Sequence, residues 1–242
     1  MNEKLTYKQG LKDGIPIALG YFAVSFAFGV SVVSGGLKWY IATVMSFTNL
    51  TSAGQFAGAT VILAMGSVFE ILLTQLVINS RYFLMSITLS QRLDEKFTLL
   101  DRFLVSYGIT DEIFGVAISK KQAVSREYMY GLILLPVVFW TLGTLTGAIA
   151  GNFLPEIILN SLNIALYAMF IAIVVPAGMQ DKKVFIVVAV SIALSCLFYF
   201  TPVLNTVSSG IAYIICAIVA SLVGAIFFPI KEENESEEGR NG

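Results

Sequence analysis

The chain has 242 residues, 57% apolar and 13% charged, with a net charge of -1 and no histidine. Soluble domains carry about 25% charged residues, so a water-soluble fold is excluded, and the near-zero net charge gives no argument for a nucleic-acid partner. The missing histidine removes the commonest proton shuttle and the commonest zinc ligand together.

The charges are also unevenly spaced. No Asp, Glu, Lys or Arg lies between Asp13 and Lys38, Lys38 and Glu70, Glu127 and Glu156, Glu156 and Asp181, or Lys183 and Lys231. Each gap exceeds the roughly 20 apolar residues that cross a bilayer as a helix. Backbone groups in hydrocarbon must be bonded within the protein, which leaves helices or a closed barrel. The runs are continuous rather than alternating, so the fold class is an all-α polytopic membrane protein.

In chain order, residues 1–13 form a polar N-terminal segment. Its Lys4, Lys8 and Lys12 resemble the start of a signal peptide, but the following run is too long for one, so an uncleaved first span is expected. Residues 14–230 form a single membrane-embedded domain with expected spans at 14–34, 41–65, 68–90, 128–151, 157–179, 184–202 and 208–229. Between Gln91 and Arg126 lies an amphipathic linker. It leads into 103–119, which is either an eighth, charged crossing or a re-entrant half-helix. Residues 231–242, KEENESEEGRNG, read as a disordered acidic tail. Cys196 and Cys216 sit in apolar runs, with no spacing for a disulfide framework or a metal.

Basic loop residues favour the cytoplasmic side. If 103–119 crosses, both termini are cytoplasmic, but Arg92, Lys96 and Arg102 fall outside. If it does not, those three are inside and the N-terminal lysines are not. The eight-crossing arrangement is the expectation. A repeat of about 117 residues sets the run from Gly14 over that from Gly131, and Val68 over Val184. The two halves would be about 14–119 and 128–230, and such repeats often hold a substrate at mid-membrane, in broken or re-entrant helices.

Ionisable residues at membrane depth are costly and default to functional candidates. Glu70 and Arg81 share a face of the third span but stand eleven residues apart, about 16 Å along a helix, so they cannot pair. Glu70 follows Gly66-Ser67 and also suits a helix N-terminus. Gln75 and Asn79 lie on the other side, as packing amides or substrate contacts. In the second span Thr48, Ser52 and Gln55 line one face beside Gly54 and Gly58. That run is either a close helix contact or a broken helix that binds a ligand. Ser106, Tyr107, Thr110 and Asp111 would share a face of a helix over 103–119. Asp111 and Glu112 are adjacent carboxylates in an apolar stretch, where desolvation and repulsion raise proton affinity. The alternative for them is a helix cap at the membrane edge. No metalloprotease, nucleophile-elbow or metal-ligand spacing is present, which argues against an enzyme. A channel and an assembly subunit remain as other classes.

Gly14-Ile15-Pro16, Met45-Ser46, SAGQF at Ser52 to Phe56, Asn79-Ser80-Arg81-Tyr82, TDEIF at Thr110 to Phe114 and YAMFIAIVVP at Tyr167 to Pro176 occur in this order. The series resembles the AzlC-like family of bacterial branched-chain amino acid permeases. The resemblance implies a multi-pass protein of the bacterial cytoplasmic membrane that exports Leu, Ile, Val or analogues. It also implies coupling to protons and a small AzlD-like membrane partner; from the residues themselves, no cofactor or metal is expected. Within it, Ser52, Gln55, Asn79 and Arg81 are the expected substrate contacts. Asp111, Glu112 and Glu70 are the expected proton-coupling groups. Tyr82 stands where the pattern has His, and Asn163-Ile164 where it has Asp-Phe, so the substrate can differ within the amino acid class.

Overall fold

The computed structural model of the chain describes residues 5–151 and 181–228, with isolated positions between these stretches. The span expected at 157–179, the YAMFIAIVVP motif, Asn163-Ile164 and the acidic tail lie outside the described residues. Among the described residues nine α-helices occur and no strand. They are α1 (Tyr7–Ser34), α2 (Trp39–Thr48), α3 (Ser52–Leu63), α4 (Val68–Ser90), α5 (Leu99–Tyr107), α6 (Asp111–Ile118), α7 (Arg126–Ala150), α8 (Lys182–Phe200) and α9 (Ser209–Phe227). Five of them, α1, α4, α7, α8 and α9, are long and apolar enough to cross a membrane.

The centre of the fold is α1 packed along α7. An added Cβ at Gly10 would strike the Tyr128 carbonyl, one at Gly14 the Leu132 carbonyl, and one at Gly29 the Thr144 carbonyl. From the other side, Gly131 faces the Tyr7 carbonyl and Gly147 the Phe26 carbonyl. Contact positions rise together along both helices, so α1 and α7 run parallel. Lipid offers no hydrophobic drive for helix pairing, so small residues that admit close backbone contact supply it.

Three apolar layers stack along this pair. Leu5, Leu89, Val124 and Tyr128 gather where α1 and α7 begin and α4 ends. Tyr21, Leu50 and Trp140 form the middle layer. Val32, Ala42, Ala59 and Ala148 gather where α1 and α7 end.

Two hairpins of half-helices dip toward the middle layer from opposite faces. The α2–α3 hairpin enters beside the end of α1 and returns to it, with the Leu63 side chain over Gly35. The α5–α6 hairpin enters and leaves at the other face. There Asp101 meets Tyr130 and Arg126 of α7, and Arg92 donates to the Ile118 and Lys120 carbonyls.

The expected crossing at 41–65 is therefore a hairpin, and of the two readings of 103–119 the re-entrant one is adopted. The break at Asn49–Thr51 arises because the Asn49 side chain accepts from the backbone and hydroxyl of Thr51, a local bond that competes with the helical ladder. At the other tip Gly108 ends α5, and Thr110 caps α6 by accepting from the Ile113 N–H. The continuous faces expected for Thr48 with Ser52, and for Tyr107 with Asp111, do not form, because each pair straddles a break.

The hairpins also resolve the charge conflict. Because neither tip passes through, the flanks of α1, α4, α5, α6 and α7 that carry Lys8, Lys12, Arg92, Lys96, Arg102, Lys120, Lys121 and Arg126 share one face. The opposite face holds Lys38, in the turn between α1 and α2. The positive-inside rule assigns the basic face to the cytoplasm. The spans α8 and α9 form an antiparallel pair, with Ser195 beside Cys216 and Gly224 beside Val187. α9 starts next to the start of α4, where the Gly210 N–H donates to Glu70.

Candidate functional site

The two hairpin tips touch at mid-depth, where the Tyr107 hydroxyl donates to the Phe47 carbonyl. Beyond each tip a half-helix begins, α3 at Ser52 and α6 at Asp111. Two helix N-termini, each with a positive dipole end and unbonded N–H groups, therefore converge on the middle layer. Thr51 makes no side-chain cap at α3, while α6 carries Asp111 and Glu112 in its first turn.

Asp111 pairs with Arg81 of α4 at 2.8 Å, and both side chains are partly open, at 39% and 41% exposure. The Arg81 guanidinium also lies 5.2 Å from the Tyr82 ring centre. Its Nε is buried without a partner. Glu112 faces α1, where the Tyr21 hydroxyl lies 2.5 Å from Glu112 Oε2 and 2.5 Å from Thr110 Oγ1. A phenol has one proton, so Tyr21 donates to one neighbour while accepting from the other. Asp111 and Glu112, adjacent in sequence, thus have separate partners on separate helices.

Two amide networks support the tips. Gln55, 1% exposed, donates to Ser46 at 2.5 Å and accepts from the Trp140 indole at 2.9 Å. Ser46 in turn lies 2.6 Å from Thr144 of α7. Gln75 donates to the Gly54 carbonyl at 2.7 Å, which fixes its orientation. Its oxygen then accepts from Asn79, leaving Asn79 Oδ1 buried and unpartnered.

A cavity of about 400 Å³ adjoins the tips. Among the described residues its lining is Pro16, Ile17, Gly20, Tyr21, Val24, Ser52, Glu112 and Trp140. Such a volume, mostly apolar with a few polar groups, is typical of a small-molecule site.

Of the residues singled out in the sequence, the structure brings Ser52, Arg81, Asp111 and Glu112 to this region. Gln55 lies behind it with both ends bonded, and Asn79 beside the α2–α3 tip. Glu70 is elsewhere, at the start of α4, where it accepts from the first turn of α9. Tyr21 and Trp140 were not picked out by sequence reasoning, and Ser46 entered only as part of the Met45-Ser46 motif, without a site role. Their one signal was a hydroxyl or indole N–H inside an apolar run, which must find a partner when buried.

Opposed half-helices that meet beside a cavity, within parallel and antiparallel spans, define a polytopic membrane protein of the transporter class. A family model described as "AzlC protein" matches residues 16–154, and the chain belongs to that family of membrane transport proteins. The match runs from α1 through α7 and so contains both hairpins. The chain is 25% identical over 230 residues to "Inner membrane protein YgaZ" of Escherichia coli, covering 92% of each. It is 26% identical over 178 residues to an "Uncharacterized membrane protein" of Archaeoglobus fulgidus, covering 73% of this chain and 78% of that one. Identity is 23% over 172 residues to "Branched-chain amino acid transport protein AzlC" of Bacillus subtilis, covering 70% of this chain and 66% of the relative. No solved structure matches the chain.

Proposed function

We propose that this protein exports branched-chain amino acids across the bacterial cytoplasmic membrane, coupled to protons and working with a small AzlD-like membrane partner. The observation that carries the reading is the pair of carboxylates at the α6 N-terminus, one on Arg81 and one on Tyr21, beside a largely apolar cavity. The name of the Bacillus subtilis relative, a branched-chain amino acid transport protein, supports the substrate class.

Each residue then has a task. The uncapped first turn of α3, with Ser52 at the cavity, suits a substrate carboxylate. Arg81 offers a second anchor, since its planar fork can serve Asp111 and a carboxylate together. Glu112 carries the coupling proton. When ionised it accepts from Tyr21; when protonated it donates to Tyr21, which then donates to Thr110. Reversing this chain changes the charge at the cavity wall without moving the backbone. Asp111 holds Arg81 in place and is the second titrating group. Gln55 and Asn79 act on the substrate through the hairpin tip they brace. Glu70 is a further coupling group only if the α4–α9 contact opens during the cycle.

The test is uptake of labelled leucine into inverted membrane vesicles that contain the protein and its partner. Glu112→Gln is expected to abolish proton-gradient-driven uptake while keeping leucine exchange. Asp111→Asn is expected to reduce both, by freeing Arg81. Wild-type rates and unchanged pH dependence in both variants would remove the coupling role from this pair.

A further inference from the structure

We infer that Gly20 sets the size of side chain that the cavity accepts, an inference that rests on the amino-acid reading above. Helix α1 offers Pro16, Gly20 and Val24 to the cavity. Four-residue spacing puts them on one helical face. Pro16 is a fixed ring and Val24 a stiff β-branched side chain. Between them Gly20 contributes nothing.

The usual reasons for a glycine are absent at this position. Gly10, Gly14 and Gly29 of the same helix are pressed against the backbone of α7, where a Cβ would collide. At Gly20 an added Cβ meets no atom of the described residues within 4 Å. Gly20 sits inside a regular helix, and the non-helical φ that favours glycine occurs elsewhere, at Gly36. A glycine inside a helix is disfavoured by about 1 kcal/mol relative to alanine. What the glycine does provide is empty volume in the cavity, next to Ile17, Val24 and Trp140. Of the polar groups of the lining, Ser52 and Glu112 come from the two half-helices, and the Tyr21 hydroxyl is engaged with Glu112. The space at Gly20 therefore fits the branched end of an aliphatic amino acid. Enlarging residue 20 should convert the site to smaller substrates.

The experiment measures competition by glycine, alanine, valine and leucine for bound labelled amino acid, using the full chain in membranes. Wild type is compared with Gly20→Ala and Gly20→Val. Gly115→Ala is the control. Its added Cβ also meets no described atom, but it lies outside the cavity lining. Gly20→Val is expected to lower the leucine-to-alanine affinity ratio by about tenfold or more, the usual discrimination of a pocket for a few methyl groups. Gly20→Ala should give a smaller shift in the same direction, with melting temperature unchanged or raised. Gly115→Ala should leave the ratio alone. An unchanged ratio in folded Gly20→Val overturns the role of Gly20 while leaving the amino-acid reading intact. Wild type that binds no amino acid overturns both. Loss of folding in Gly20→Ala would show that residue 20 is packed, and would also overturn the inference.

Discussion

Single side chains decide how firmly the hairpins are held. At the base of the α5–α6 hairpin, Asp101 accepts from the Thr98 hydroxyl at 2.6 Å, the Tyr130 phenol at 2.5 Å and the Thr98 backbone at 2.8 Å. These bonds, led by that of the Thr98 side chain, hold its carboxyl down to about 2. The folded value is depressed below the unfolded value of about 3.9. Its contribution to stability is therefore complete above about pH 4, and is lost as pH falls through about 2. Between pH 5 and 8 the melting temperature should be insensitive to this group. Asp101→Asn should lower it across that whole range, and a thermal melt in detergent at two pH values checks both statements. The other tip depends on Gln55. Trp140→Phe removes the indole donor and leaves the buried Gln55 oxygen unpaired, at a cost of about 1–3 kcal/mol. Double substitution with Gln55→Leu should recover part of that loss in the same melt, because no buried acceptor is then stranded.

At the scale of elements, the α1–α7 pair bears the packing. Its glycines face backbone carbonyls, which cannot rotate away as a side-chain tip can. Gly131→Leu and Gly147→Leu should each force the helices apart and destabilise by more than the 1–3 kcal/mol usual for overpacking. Gly20→Ala, in α1 but off this contact, should not. Size-exclusion profiles of the purified variants after mild heating separate the two outcomes. The paired hairpins form a second unit. Their tips meet through Tyr107 and Phe47, whose rings also lie 6.4 Å apart. One tip is thus tied directly to the other.

For the whole molecule, the two hairpins fix the topology. Lys38 lies between α1 and α2, and Met65 between α3 and α4. A hairpin places both on the outer face, whereas a crossing at 41–65 would separate them. Lys96 and Lys121 belong to the opposite, basic face. In a background lacking Cys196 and Cys216, Lys38→Cys and Met65→Cys should react with an impermeant thiol reagent in intact cells. Lys96→Cys and Lys121→Cys should react only after permeabilisation. Labelling of Lys38→Cys without Met65→Cys would overturn the hairpin arrangement.

The sequence alone determined the class of the fold, because a bilayer demands long uncharged helical runs and the gaps between charges display them directly. It also pointed to Arg81, Asp111 and Glu112, which stand out against an apolar background, while leaving a helix cap at the membrane edge open for the two carboxylates. The separation of Glu70 from Arg81 followed from helical rise alone, and each has found another partner, Gly210 and Asp111. Only the tertiary structure decided that 41–65 and 103–119 turn back at mid-depth. A break at Asn49–Thr51 depends on one side chain outcompeting a backbone bond, and composition is blind to that difference of about 1 kcal/mol. The partners of the deep groups were hidden for a related reason. Tyr21 meets Glu112 across 91 positions of chain, and such a contact follows from how α1, α6 and α7 pack, which no local pattern of residues encodes.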